Sequence, residues 1–271
     1  MKTILVELDA RIREDGRLGA AADLARAFGG HLIGLQVTPV DAYVSFDPFG
    51  GVYAVPSLLE AIADQEAKTR SLFEAEIESK GVSWEYSHGR GATSSLIAER
   101  SRLVDLVMVA KPSSHQHRSR LLPHVGELAL TSSAPLLVLP PESRSFDPSG
   151  RAIIAWNGSP EASAAVRMAL PMLRKASEVT VLTADESGGK WDLPAAELGK
   201  YLSRHEIEIK IEVAQVNDND VPLSLLREVT VRRPAYLVMG AYGRSRAREW
   251  LLGGVTRQML LELPVPMLLA H

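Results

Sequence analysis

Short apolar runs alternate with longer amphipathic stretches through the first half of the chain. Thr3-Ile4-Leu5-Val6 has strand length, and Leu18, Ala21, Leu24, Ala25 and Phe28 then recur at helical spacing until Gly29-Gly30 ends the pattern. A second strand is predicted at His31 to Val37, followed by a long helix over Pro56 to Lys80 that stops at Gly81. Val82 to Ser87, a short helix over Ser94 to Arg100, and the strand Val104 to Ala110 come next. That last strand is apolar throughout, as expected of one buried on both faces. Leu121 to Thr131 reads as a helix, and Leu136-Leu137-Val138-Leu139 closes the set. Strands alternating with helices imply a parallel sheet with helices on both faces.

Pro140-Pro141 opens a polar stretch running through Pro148-Ser149-Gly150, the best linker candidate. The same order then returns: Ala152 to Trp156 as a strand, a helix from about Pro160 to Lys175, and Val179 to Thr183 as the next strand. A helix near Ala195 to His205 and an alternating strand over Ile207 to Val213 follow. An offset of 130 pairs Leu121-Leu122 with Leu251-Leu252 and Val125 with Val255, and one later gap pairs Pro135 with Pro266. The pattern is that of an internal duplication. We expect two tandem Rossmann-like α/β domains, residues 1–141 and 151–271, each a five-stranded parallel sheet.

Composition narrows the function classes. A chain of 271 residues is long enough for two cores, and its 46% hydrophobic and 23% charged content is that of ordinary globular protein. A net charge of −3 offers no attraction to phosphate backbones or anionic lipid, so neither nucleic acid nor membrane is an expected partner. No apolar run reaches the length of a membrane span, and Glu7 and Asp9 interrupt the start where a signal peptide stays apolar, so a cytoplasmic location is expected. The absence of cysteine removes thiolate chemistry and disulfides.

The most informative segment is Gly240-Ala241-Tyr242-Gly243, nine residues, then Gly253-Gly254-Val255-Thr256, after a buried strand and before a helix. Glycine lets a backbone approach a ligand closely, and a helix N-terminus presents free N–H groups to a phosphate. These glycines, the Leu251-Leu252-Gly253-Gly254-Val255-Thr256 block and the turn Asn157-Gly158-Ser159 make the chain resemble the universal stress protein family, as two copies. The resemblance implies five-stranded domains that pair through their last strands and, in many members, bind ATP. Carried across, it places Gly240, Gly243 and Gly253 on phosphates and ribose, Val255 and Thr256 at the helix start, and Asn157 and Thr183 beside the adenine. Ala155, Met239, Gly254 and Arg244 join the candidate set, the arginine as a contact to β- or γ-phosphate, with a solvated basic loop as its alternative.

Two positions depart from the family pattern: Gly254 stands where nucleotide binders place a hydroxyl residue, and Asn157 replaces an acidic one. The glycines alone would also suit a tight turn in a domain without a ligand. In the first copy the matching positions are Ala110, Ser113 and Pro123, and the proline lacks an N–H that a phosphate would use. His115, His117 and His124 read as solvated loop histidines rather than metal ligands, and Ser159 as a helix cap rather than a nucleophile.

The expected function is a stress-response protein holding an adenine nucleotide, ATP with Mg²⁺ on phosphate oxygens and water, in the second domain, with a regulatory or sensing role. An interaction scaffold without nucleotide, acting on an unknown protein partner, and a weak ATPase are the alternatives; no general base is evident that would make hydrolysis fast. Pairing of Leu136 to Leu139 with Met267 to Ala270 would make the chain an internal pseudo-dimer, with a homodimer as a further expectation.

Overall fold

The computed structural model describes the chain except residues 10–11, 13–15, 40–44, 47–51, 54–55, 112–114, 142, 185–192, 217–219 and 242–253, and the side chains at 45–46, 52–53, 56–58 and 115–121. The first half contains β1 (Thr3–Leu8), α1 (Arg17–Phe28), β2 (His31–Thr38), the two-residue strands β3 (Ser45–Phe46) and β4 (Val52–Tyr53), α2 (Pro56–Glu78), β5 (Ser83–Arg90), α3 (Thr93–Arg100), β6 (Leu106–Ala110), α4 (His115–Thr131) and β7 (Leu136–Leu139). The second half contains β8 (Ala152–Trp156), α5 (Pro160–Leu173), β9 (Val179–Ala184), α6 (Ala195–Ser203), β10 (Ile209–Ala214), α7 (Val221–Arg232), β11 (Tyr236–Gly240), α8 (Gly254–Glu262) and β12 (Met267–Ala270). The strands and helices named from the sequence are present. The helix Val221–Arg232 was not among them, and α4 starts at His115 instead of Leu121.

One ten-stranded sheet runs through the molecule in the order β10-β9-β8-β11-β12-β7-β6-β1-β2-β5. Its two halves have the same internal order and parallel pairing, and they join where β12 meets β7 antiparallel, Leu268 opposite Leu137. Both strands are buried along their whole length, which covers the apolar edge each half would otherwise present. The tandem halves therefore form an internal pseudo-dimer.

Side-chain alternation assigns the helices to faces. Ile4, Val6 and Leu8 of β1 and Ala152, Ile154 and Trp156 of β8 share one cluster with residues of α1, α2, α5 and α6. Leu5 and Ile153 belong to the opposite cluster, with Ile97 of α3, Val125 and Leu128 of α4, Val229 of α7 and Met259 of α8. Each cluster crosses the β7–β12 seam, so packing as well as the strand ladder ties the halves together.

The segment expected as a free linker is strapped to α1. Phe146 is buried against Tyr236 with ring centroids 5.7 Å apart, and its N–H donates to Asp23 at 3.1 Å. A Cβ at Gly19 would stand 2.2 Å from the Arg144 carbonyl oxygen, so the absence of a side chain there is what lets the strap lie against the helix.

Candidate functional site

The strand order of each half reverses at one place, between β8 and β11 in the second half and between β1 and β6 in the first. In open parallel sheets the crevice at such a point, outside the carboxyl ends of the strands, is where ligands bind. Register brings the candidate residues there. Met239 lies opposite Ala155 in the β11–β8 ladder, and Thr183 lies opposite Trp156 in the β8–β9 ladder. Asn157 follows β8 directly, and Gly240 ends β11.

Local chemistry fixes the turn after β8. The Asn157 side-chain oxygen accepts the Ser159 N–H at 3.2 Å, Gly158 takes a left-handed φ of 72°, and the Ser159 hydroxyl oxygen accepts the Ala162 N–H at 3.1 Å. Pro160 at the first helical position completes a strong start for α5. Ser159 is thus a helix cap, as its sequence context implies. The Asn157 oxygen is engaged within the turn, which leaves the exposed amide nitrogen as its donor toward a ligand.

Gly240 has a packing reason to be glycine. A Cβ there would stand 2.5 Å from the Ala162 nitrogen and 2.7 Å from the Glu161 carbonyl carbon. The bare backbone there admits the first turn of α5. Met239 is only 5% exposed and packs in the core, and Thr183 directs its hydroxyl to the Glu212 carbonyl at 3.4 Å. The Thr256 hydroxyl donates to Gly240 O at 3.5 Å, tying the first turn of α8 to the end of β11. That bond engages the Thr256 hydroxyl within the fold.

Gly254 differs from the others. It is exposed at the first position of α8, and a Cβ built on it meets nothing within 4 Å. With Gln258 it lines an open cleft whose other wall is Asp220, Pro222 and Leu223 at the start of α7. Asp220 caps that helix by accepting the Leu223 N–H at 2.9 Å. Two helix N-termini therefore border one cleft: that of α7 is capped by Asp220, while that of α8 turns the positive end of its dipole to the cleft, which favours an anion. Gly243, Arg244 and Gly253 lie outside the described residues, as do Arg246, Arg248 and Ser113.

The first half has filled the equivalent place. Because β1 pairs with β6 at Ile4–Leu106 and β8 with β11 at Ala152–Tyr236, Glu7 is the counterpart of Ala155. The offset that matches Val125 to Val255 makes His124 the counterpart of Gly254. Glu7 and His124 reach each other: His124 Nε2 stands 3.1 Å from Glu7 Oε1, and Nδ1 stands 3.3 Å from the hydroxyl of Ser94, the second residue of α3. Pro222, the second residue of α7, faces an open cleft instead. Arg17 donates to the Glu7 carbonyl at 2.6 Å and pairs with Asp9 at 3.2 Å.

His124 is consequently a partly buried ion-pair partner, correcting the reading of it as a solvated loop residue. Burial works against its charge, but the Glu7 carboxylate outweighs it and lifts the imidazole above its ordinary pKa. Burial raises Glu7 in the same way, and His124 with Arg17 reverses the sign, holding the carboxyl below its usual range. His115 and His117 fall within α4 and not in a loop. No group of three His, Asp or Glu suited to a metal occurs among the described residues.

The family model described as universal stress protein family matches residues 149–271. Residues 149–271 are a universal stress protein domain. The whole chain is similar in fold to a universal stress protein from Archaeoglobus fulgidus, at 16% identity and TM-score 0.75, covering 99% of this chain and 95% of that one. A functionally unknown protein from Pseudomonas aeruginosa is also similar, at 15% identity and TM-score 0.61, covering 100% and 92%. A search of curated proteins finds no match. The matched residues thus coincide with the second half, and the first half repeats its architecture.

Glu161 was passed over in the sequence. It occupies the first turn of α5 beside Gly240, and its Oε2 is buried without a hydrogen-bond partner. An acidic residue two positions after a Ser cap is ordinary helix chemistry, so only the fold reveals how near the crevice it lies. Among the described residues no helix is long and apolar enough to cross a membrane.

Proposed function

We propose that this universal stress protein binds one adenine nucleotide, ATP, in the second of two domains, 1–141 and 151–271, and serves as a regulatory or sensing module. The observation that carries the reading is the contrast between the two crevices. In the first half Glu7, His124 and Ser94 bond to one another; in the second the matching positions carry Ala155, Gly254 and Pro222, whose side chains offer no such bonds, and Gly254 and Pro222 line a cleft.

Ala155, Asn157 and Thr183 stand at the strand ends where an adenosine fits, with Gly240 and Met239 beneath. The N-terminus of α8, with Gly254, Val255 and Thr256, offers backbone N–H groups for phosphate. Gly243, Arg244 and Gly253 complete the phosphate contacts in this reading. Asp220 is the only carboxylate among the cleft's lining residues and caps α7, so Mg²⁺ accompanying the nucleotide would take its oxygens from phosphate and water. The ion would neutralise phosphate charge; the chain's own residues bind and orient. No described side chain is placed as a base for water, so slow or absent hydrolysis is expected.

The test is to denature the purified full chain, extract it, and identify released small molecules by mass spectrometry. Adenine nucleotide in near-stoichiometric amount supports the reading. A chain that releases none and takes up none from millimolar ATP is a scaffold.

A further inference from the structure

Among the described residues Lys111 is the only lysine in the interior, 3% exposed. It follows β6 in the first half, and its backbone N–H donates to Leu139 O at 2.9 Å. Its Nζ crosses to the other half, donating to the carbonyls of Leu261 and, at 3.2 Å, Glu262. Those are the last two residues of α8, whose carbonyls have no acceptor role within the helix. An ammonium at a helix C-terminus meets the negative end of the dipole, which offsets part of the cost of removing it from water.

Among the described residues the arrangement has no counterpart in the opposite direction. The offset of 130 matches Lys111 to Ala241, which carries no charge, and at the end of α4 the described side-chain bond is local, Thr131 Oγ1 donating to Glu127 O at 2.8 Å. Leu263, just past α8, is held at a left-handed φ of 42°, and its N–H donates to Met259 O at 2.6 Å. One helix end, in one half, is thus clamped by a cation from the other. The helix so clamped is the one whose N-terminus borders the open cleft.

We propose that Lys111 is a positioning residue for the nucleotide site of the second half, an inference that rests on the nucleotide reading of that cleft. A nine-residue helix is a rod of about 13 Å. Fixing its C-terminal carbonyls sets where Gly254, Val255 and Thr256 sit at its other end, so the first half, its own crevice closed, serves the second by holding the phosphate helix in register. Lys111 also begins the connection from β6 toward α4, where the first half's counterpart of the phosphate loop lies. The affinity of one half therefore depends on a residue of the other.

The test titrates ATP·Mg²⁺ calorimetrically into the full-length wild type, Lys111→Met and Lys111→Arg, with circular dichroism melts to establish folding. The methionine keeps the apolar stem and removes the donor; it should bind about tenfold more weakly, a typical size for coupling between sites. Arginine, which restores a cation, should recover most of the loss. A folded Lys111→Met with wild-type affinity overturns the positioning role while leaving the nucleotide reading intact. Wild type that binds no ATP removes the nucleotide reading and this inference with it. Hydrogen exchange on wild type decides independently of any variant: saturating ATP should slow exchange along all of α8, including the turn held by Lys111, and slowing confined to its first turn overturns the proposal.

Discussion

Replacing Gly254 with serine should strengthen nucleotide binding, and the structure permits the change cleanly. The added Cβ meets no atom within 4 Å, and residue 254 is not among the glycines that need a positive φ. Steric cost is therefore absent. The hydroxyl would stand at the start of α8, facing the cleft shared with Asp220 and Pro222. Thr256 already spends its hydroxyl on Gly240. One added hydrogen bond is worth about 1 kcal/mol, which corresponds to roughly a fivefold lower Kd. Loss of glycine freedom in the unfolded chain should add about 0.5 kcal/mol of stability without ligand. Calorimetric titration of the full chain measures the first effect and thermal melting the second. Affinity that is unchanged or weaker in a folded Gly254→Ser chain would show that α8 does not present residue 254 to phosphate.

The remaining predictions concern the first half, the seam and the interior. His124 has a raised pKa, so its contribution is full below the ordinary imidazole value of 6.5 and is lost as pH rises through the folded value. Glu7 has a lowered pKa, so its share is present above the ordinary value of 4.5 and is lost as pH falls through the folded one. Urea unfolding should thus show a stability maximum between those two ordinary values, and His124→Asn should flatten the alkaline limb; an unchanged limb would mean that Glu7 and His124 are not paired in solution. Leu137→Ala and Leu268→Ala, opposite each other across the β7–β12 seam, should each cost about 2–5 kcal/mol and combine non-additively; strict additivity would separate the two strands. Tyr236 is buried with an unpartnered hydroxyl, and burial raises its pKa far above normal, so Tyr236→Phe should hold or gain about 1 kcal/mol of stability, with a loss of similar size refuting the orphaned hydroxyl.

Much of the fold was legible because the central strands are compact apolar runs and most helices have a clear period. The helix Val221–Arg232 was passed over because Pro222 and the β-branched Val221, Val229, Thr230 and Val231 read against helix. Asp220 as its cap and Pro222 in its first turn were start signals that went unused. Local signals also found the turn at Asn157 to Ser159. They could not find the Glu7–His124 pair, whose members are 117 residues apart. The trace it left was an acidic residue inside the apolar run of β1, which composition explained only as an interruption of a signal peptide. Gly240 shows the converse limit: glycine for helix packing and glycine for a ligand look the same in a sequence.

The central claim is one nucleotide per chain, held by the second half. Calorimetric titration of the ligand-stripped full chain with ATP·Mg²⁺ tests it most directly. The Glu7–His124–Ser94 contacts, which the second half lacks, predict a single binding event with a stoichiometry near one. A stoichiometry near two would mean that the Glu7–His124–Ser94 contacts do not close the first crevice, and no saturable heat at millimolar ATP would contradict nucleotide binding altogether.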